Sequence, residues 1–139
     1  MEISDIKRRV VETIERARRL AGERRVRIDG ATREYEAFLD RIAVPVFKQV
    51  ANVLRAEGYM FTVFTPGGSV RLMSDRSAED YVELELDTSG DEPVVIGHAS
   101  RSRGRRVVES EGPIGPPATL NEEDVLSFVL KSLEPLVAR

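Results

Sequence analysis

Between Met60 and Glu111, short apolar and polar segments alternate, and turn residues stand at each break. An alternation with a period of two is typical of strands that bury one face and expose the other. The clearest example is residues 81–87, where apolar Val, Leu and Leu alternate with Glu, Glu and Asp. The pattern predicts an antiparallel meander of five strands, at residues 60–65, 69–74, 81–87, 94–101 and 105–111.

Before this region, apolar residues recur at three- and four-residue steps, which is the period of a helix. They form a narrow stripe from Ile6 to Ala21 and a broader face from Tyr35 to Leu54. Asp29-Gly30 separates the two stretches, and glycine commonly ends helices. We therefore expect a helical hairpin over residues 1–58, with a kink near Ala43 where Pro45 interrupts the second helix.

After the meander, a segment rich in glycine and proline predicts an extended connector over residues 112–120. Asn121 precedes three acidic residues, which is typical of the start of a helix, here predicted over residues 121–139. The expected fold is a single α+β domain: two N-terminal helices, a five-stranded antiparallel meander at 59–111 and a C-terminal helix. We expect the helices to cover one face of the sheet.

Composition narrows the class of protein. The chain has 139 residues, of which 41% are apolar and 32% charged, and these values fit one soluble globular domain. It contains no apolar run long enough to span a membrane, and its first residues are too charged for a secretory leader, so we expect a cytoplasmic protein without membrane contact. The absence of cysteine excludes disulfides, thiolate nucleophiles and cysteine-bound zinc. We predict no metal and no cofactor.

The strongest local charge is at the end of the predicted hairpin of strands four and five. We call it the arginine tip, and it comprises Arg101, Arg103, Arg105 and Arg106. Arginine can anchor acidic protein surfaces or phosphates, although charged hairpin ends also keep proteins soluble and protect edge strands. Nucleic-acid binding is the weaker alternative, because no aromatic residues alternate with the arginines and the chain has a net charge of −3. A three-residue turn at 102–104 would place Ala99 opposite Val107 and His98 opposite Val108.

His98 is the only histidine, so any histidine-dependent catalysis would require it. No Gly-x-Ser-x-Gly or His-x-x-x-His motif accompanies it, and we interpret it as a hydrogen-bonded structural residue. It shares a strand face with Ile96, which predicts a position at the edge of the core. Glu83, Glu85 and Asp87 are expected on a solvated face, with Arg71 facing Glu85.

These observations predict a small non-enzymatic domain for protein–protein interaction, an adaptor that binds a partner through the arginine tip. The narrow stripe of the first helix also predicts a homodimer through that helix. One alternative is an enzyme or small-ligand-binding protein with a pocket between helices and sheet, lined by His98, Tyr35, Tyr59 and Tyr81. Another is nucleic-acid binding through the arginine tip.

Overall fold

The computed structural model describes residues 1–138. Its helices are α1 (Ile3–Phe38), α2 (Val44–Ala56) and α3 (Glu122–Val137), and a π-helical segment (Leu39–Ala43) joins the first two. Its strands are β1 (Phe61–Phe64), β2 (Val70–Ser74), β3 (Tyr81–Asp87), β4 (Val94–Arg103) and β5 (Arg106–Gly115). The predicted α+β class and its order of elements are confirmed.

The five strands form one antiparallel sheet in the order β1-β2-β3-β4-β5, so the predicted meander is also confirmed. One face of the sheet is covered by the helices, and Leu84, at the centre of β3, is fully buried there. The residues that share this core and have no exposed surface include Phe47, Val70, Leu72, Val82, Val95, Val125 and Val129. Alternation along each strand therefore leaves the other face, here called the outer face, without a covering layer.

The predicted helical hairpin is wrong, because α1 continues through Asp29-Gly30 without a break. Gly30 does not have the positive φ that a glycine cap requires. A glycine inside a helix costs only about 1 kcal/mol relative to alanine. Ala31, Tyr35 and Phe38 are buried against the rest of the fold, here called the body. This burial offsets the cost of the glycine, since each large apolar side chain contributes about 1.5–3 kcal/mol when buried.

The predicted irregularity near Ala43 is confirmed, and it takes the form of the π-helical segment. The N–H of Val44 donates to the carbonyl of Leu39, five residues earlier, and Pro45 follows directly with no N–H to donate. The π-helical turn holds more residues than an α-helical turn, so it changes the direction in which the following side chains point around the helix axis. Phe47 can consequently face the same core as Phe38.

The predicted register of β4 and β5 is wrong by three residues. Arg103 pairs with Arg106, so the turn has two residues, and Gly104 takes the positive φ of 63° that such a turn needs. As a result Ala99 lies opposite Ser110, and His98 opposite Glu111. Strand β5 also reaches Gly115 through a bulge, which takes residues 112–115 out of the predicted connector.

Helix α3 begins where predicted. The side chain of Asn121 accepts from the N–H of Asp124 at 2.9 Å, and the Asp124 carboxylate accepts from the N–H of Asn121 at 3.0 Å. The helix lies close to β4 because Gly97 has no side chain, and a Cβ there would overlap the ring of Phe128. Within residues 1–138, no helix has both the length and the apolar character needed to cross a membrane.

Candidate interaction surfaces

The N-terminal half of α1 extends away from the body. No residue of the segment 3–23, here called the projecting segment, is buried. The guanidinium of Arg24 donates to the carbonyls of Thr88 at 3.2 Å and Ser89 at 3.4 Å, and this contact marks where the helix meets the turn after β3. At 1.5 Å per residue, the projecting segment is about 30 Å long.

The projecting segment exposes large apolar side chains along one side, here called the stripe. Val10 and Leu20 are 51% and 54% exposed. The other members are Ile3, Ile6 and Ile14, all of which are exposed. Their three-, four- and six-residue spacings place them on one side of the helix, as in helices whose apolar side is covered. Such a side is normally buried, but here it has no cover within residues 1–138.

Charge is distributed unevenly around the projecting segment. Lys7 and Arg18 are eleven residues apart, a spacing that keeps both beside one edge of the stripe. The acidic residues of the segment fall on the opposite side of the helix; they are Asp5, Glu12, Glu15 and Glu23. Asp5 is paired there with Arg8, at 2.8 Å. A matching surface would therefore be apolar with an acidic border.

A second apolar surface lies between α2 and α3, and we call it the α2–α3 groove. Its volume is about 520 Å³. Val53 and Leu130 on its sides are 64% and 52% exposed. Its remaining lining residues are Val46, Gln49, Val50, Leu54, Leu126, Leu133, Glu122 and Glu123. The charged residues among these are both acidic and belong to the first turn of α3.

The arginine tip extends past the rest of the sheet, because β3 pairs with β4 only as far as Ser100. Arg103, Arg105 and Arg106 are exposed, whereas Arg101 is partly buried. Residues 101–104 border a depression of about 460 Å³ together with Pro135 and Ala138 at the end of α3. The carbonyl end of a helix carries partial negative charge. Part of the tip's positive charge therefore faces this helix end.

On the outer face, Arg71 and Glu83 form a tight pair. The guanidinium of Arg71 donates to both carboxylate oxygens of Glu83, at 3.1 and 3.3 Å, and lies 4.1 Å from the ring centre of Tyr81. Ser69 donates to the same carboxylate at 2.9 Å. Glu83 is consequently only 8% exposed, although alternation predicted a solvated position, and Arg71 faces it rather than Glu85.

His98 also lies on the outer face, beside Ile96, while Val95 and Gly97 on the same strand are the residues turned to the core. Its predicted position at the core edge is therefore wrong. Its Nε2 lies 2.6 Å from a carboxylate oxygen of Glu85, and its Nδ1 lies 3.1 Å from one of Glu111. These contacts connect β3, β4 and β5.

The structure does not bring all four residues of the predicted ligand pocket together. Tyr35 is buried in the core and donates to the carbonyl of Leu84 at 3.4 Å. Burial raises the pKa of its hydroxyl, and the negative charges of nearby glutamates add to the effect. Tyr59 donates to the carbonyl of Val137 at 3.5 Å. Tyr81 and His98 do share a depression, of about 370 Å³, but it lies on the outer face.

The polar side chains in residues 1–138 show no further constellation. No group of three or more His, Asp or Glu residues in this range is arranged to bind a metal ion. Every buried side-chain nitrogen or oxygen in it has a hydrogen-bond partner. The chain matches no protein-family model, and neither the curated proteins nor the solved structures contain a significant match.

Sequence reasoning missed the α2–α3 groove. The broad apolar side of the second helix was expected to cover the sheet, but only part of that side is buried, at Phe47, Ala51 and Leu54. Val50 and Val53 lie beside this buried part and border the groove. The sequence did contain a signal for this groove, namely the width of the apolar side. A helix that packs only on a sheet needs a narrower apolar face.

Proposed function

We propose that this protein is a homotypic interaction module, in which the projecting segment of α1 docks on a second copy of the chain. The observation that carries the proposal is the exposed stripe on a helix with no covering surface within its own described chain.

Helix energetics support a partner for this segment. In proteins, helices derive most of their stability from packing of an apolar side rather than from intrinsic propensity. Each large apolar side chain of the stripe would contribute about 1.5–3 kcal/mol on complete burial. Because α1 runs without interruption into the body, the stripe cannot fold back onto its own chain. A surface from another molecule has to supply the cover.

The polar groups of the outer face support an interaction module over an enzyme. The carboxylate of Glu83 is engaged by Arg71 and Ser69, and both nitrogens of His98 face carboxylates. A general base or nucleophile needs a group within reach of a substrate and oriented by a partner. Here the chemically capable groups bind one another across neighbouring strands.

Light scattering coupled to gel filtration tests the proposal directly. The wild-type chain is expected to have twice the mass of one chain at high concentration. The stripe variant, Ile6→Ser with Val10→Ser and Ile14→Ser, is expected to have the mass of a single chain. These side chains are already exposed, so its thermal stability at low concentration should change little.

A matched control lies on the other side of the same helix. Glu12→Ser with Arg16→Ser and Arg19→Ser makes the same number of changes to serine outside the stripe. This control should retain the wild-type mass. A wild-type chain that stays monomeric at all concentrations, or a stripe variant that associates as well as wild type, would contradict self-association.

A further inference from the structure

We infer that the projecting segment docks in the α2–α3 groove of the second copy. This inference rests on the proposed self-association. The sequence pattern suggested pairing of the first helix with its own copy, but the distribution of apolar and charged groups favours the groove.

The apolar rows of the two surfaces correspond. Ile6, Val10 and Ile14 follow one another at four-residue steps along the stripe. The groove offers two rows with the same step, Val46–Val50 on α2 and Leu126–Leu130 on α3. Rows of this kind interdigitate in the commonest class of helix packing. A helix laid in a groove through residues at these spacings is also a recurrent mode of recognition.

The distribution of charge favours the groove, rather than the α1 helix of the second copy, as the acceptor. In an antiparallel α1–α1 pair, the edge that carries Lys7 and Arg18 would lie beside the same edge of the other helix, and like charges would face each other. At the groove, the charged residues are Glu122 and Glu123. One end of the basic edge of the stripe would therefore meet the acidic first turn of α3.

Symmetry allows both contacts to form at once. Each chain carries one stripe and one groove, so two chains related by a twofold axis can exchange their projecting segments. Both stripes and both grooves would then be covered. Val53 and Leu130, which are exposed in the single chain, would be buried in this dimer.

A mixing experiment tests the acceptor. The groove variant, Val53→Ser with Leu130→Ser, alters two exposed residues and leaves the stripe intact. Alone, the groove variant and the stripe variant should each have the mass of one chain. Mixed, they should form a 1:1 heterodimer, because the intact stripe of one can enter the intact groove of the other. Sedimentation of a fluorescently labelled stripe variant titrated with the groove variant measures this complex.

The possible outcomes separate the two proposals. If the groove variant dimerises as well as wild type while the stripe variant does not, the groove is not the acceptor and self-association stands. Failure of the mixture to form a complex also overturns the groove. If the wild-type chain is a monomer, self-association itself is overturned. Val107→Ser with Val108→Ser changes two exposed apolar residues on β5 and should leave the mass at the wild-type value.

Charge reversal adds an independent measurement. Lys7→Glu with Arg18→Glu, and Glu122→Lys with Glu123→Lys, should each weaken dimerisation of the chain at low salt. An exposed ion pair changes affinity by about fivefold or less, so the loss should be modest. Combining all four changes should restore affinity. A combined variant weaker than either pair alone would contradict the proposed pairing.

Discussion

The two halves of α1 have the same helical period but different surroundings. The C-terminal half buries Ala31, Tyr35 and Phe38 against the body, whereas the N-terminal half exposes Val10 and Ile14. One uninterrupted backbone carries both, with Arg24 at the boundary between them. Amphipathic spacing therefore identifies which side of a helix needs to be covered. Which element covers that side depends on how far the rest of the fold extends along the helix.

The largest difference between the halves should appear on removal of apolar side chains. Phe38→Ala should lower the free energy of unfolding by about 3–5 kcal/mol, because it leaves a cavity in the core. Val10→Ala should change it by less than about 0.5 kcal/mol at a concentration where the chain is monomeric. Urea denaturation monitored by circular dichroism measures both. Equal losses would mean that the projecting segment packs on its own body.

The close packing of the body can be tested at Gly97. Gly97→Ala should destabilise the fold by about 1–3 kcal/mol, since the added methyl overlaps the ring of Phe128 and forces that ring to move. Gly22→Ala is the control in the projecting segment, where an added Cβ has no neighbour within 4 Å. Thermal unfolding of the two variants should shift in opposite directions. A stable Gly97→Ala variant would indicate looser contact between α3 and β4.

Tyr35 provides a test of burial that depends on pH. Its pKa in the folded chain lies above the ordinary value of 10.0, chiefly because of burial. The folded chain therefore keeps the proton while the unfolded chain releases it, so this contribution to stability is complete below about pH 10 and declines as the pH rises further. The decline is at most about 1.4 kcal/mol per pH unit. Tyr35→Phe should make this loss of stability at high pH smaller.

The comparison for that experiment is Tyr59→Phe, which removes the hydroxyl of a tyrosine that is 40% exposed. Urea denaturation of the wild type and both variants at a series of pH values would show which tyrosine causes the alkaline loss. If Tyr59→Phe flattens the profile and Tyr35→Phe does not, the hydroxyl of Tyr35 is not sequestered from solvent.

A small stabilising effect is expected at Gly30, near the boundary between the halves. Gly30→Ala should stabilise the chain by about 0.5–1 kcal/mol, because the position is helical and an added Cβ has no neighbour within 4 Å. Chemical denaturation can resolve such a change. Destabilisation would instead support the helix break that the sequence suggested, since alanine is strained where φ is positive.

The arginine tip stays a prediction. Replacement of Arg103, Arg105 and Arg106 by serine should leave the fold intact, because all three are exposed. The predicted binding of a partner by these arginines is independent of the proposed docking of α1. The position of the tip beside the end of α3 already accounts for some of its charge in structural terms.

The predictions from the sequence were most accurate where the local pattern and the burial agree. Alternation placed β3 at residues 81–87 with its observed bounds, and Leu84 is buried as expected. Asn121 and the following acidic residues predicted the start of α3. Register was less well determined, because the turn lies at residues 104–105 rather than at 102–104, and this position places Glu111 opposite His98. Turn length is a property of the paired strands rather than of the residues at the tip alone.

By itself, the sequence determined the order of elements, the faces of the central strands and the amphipathic character of the first helix. These features depend on period and composition, which are local. Tertiary structure alone decided that α1 continues through Gly30, that Glu83 is enclosed by Arg71 and Ser69, and that a groove remains between α2 and α3. Each of these depends on which surfaces meet across the sheet, and contact between distant segments is not encoded in the spacing of any one of them.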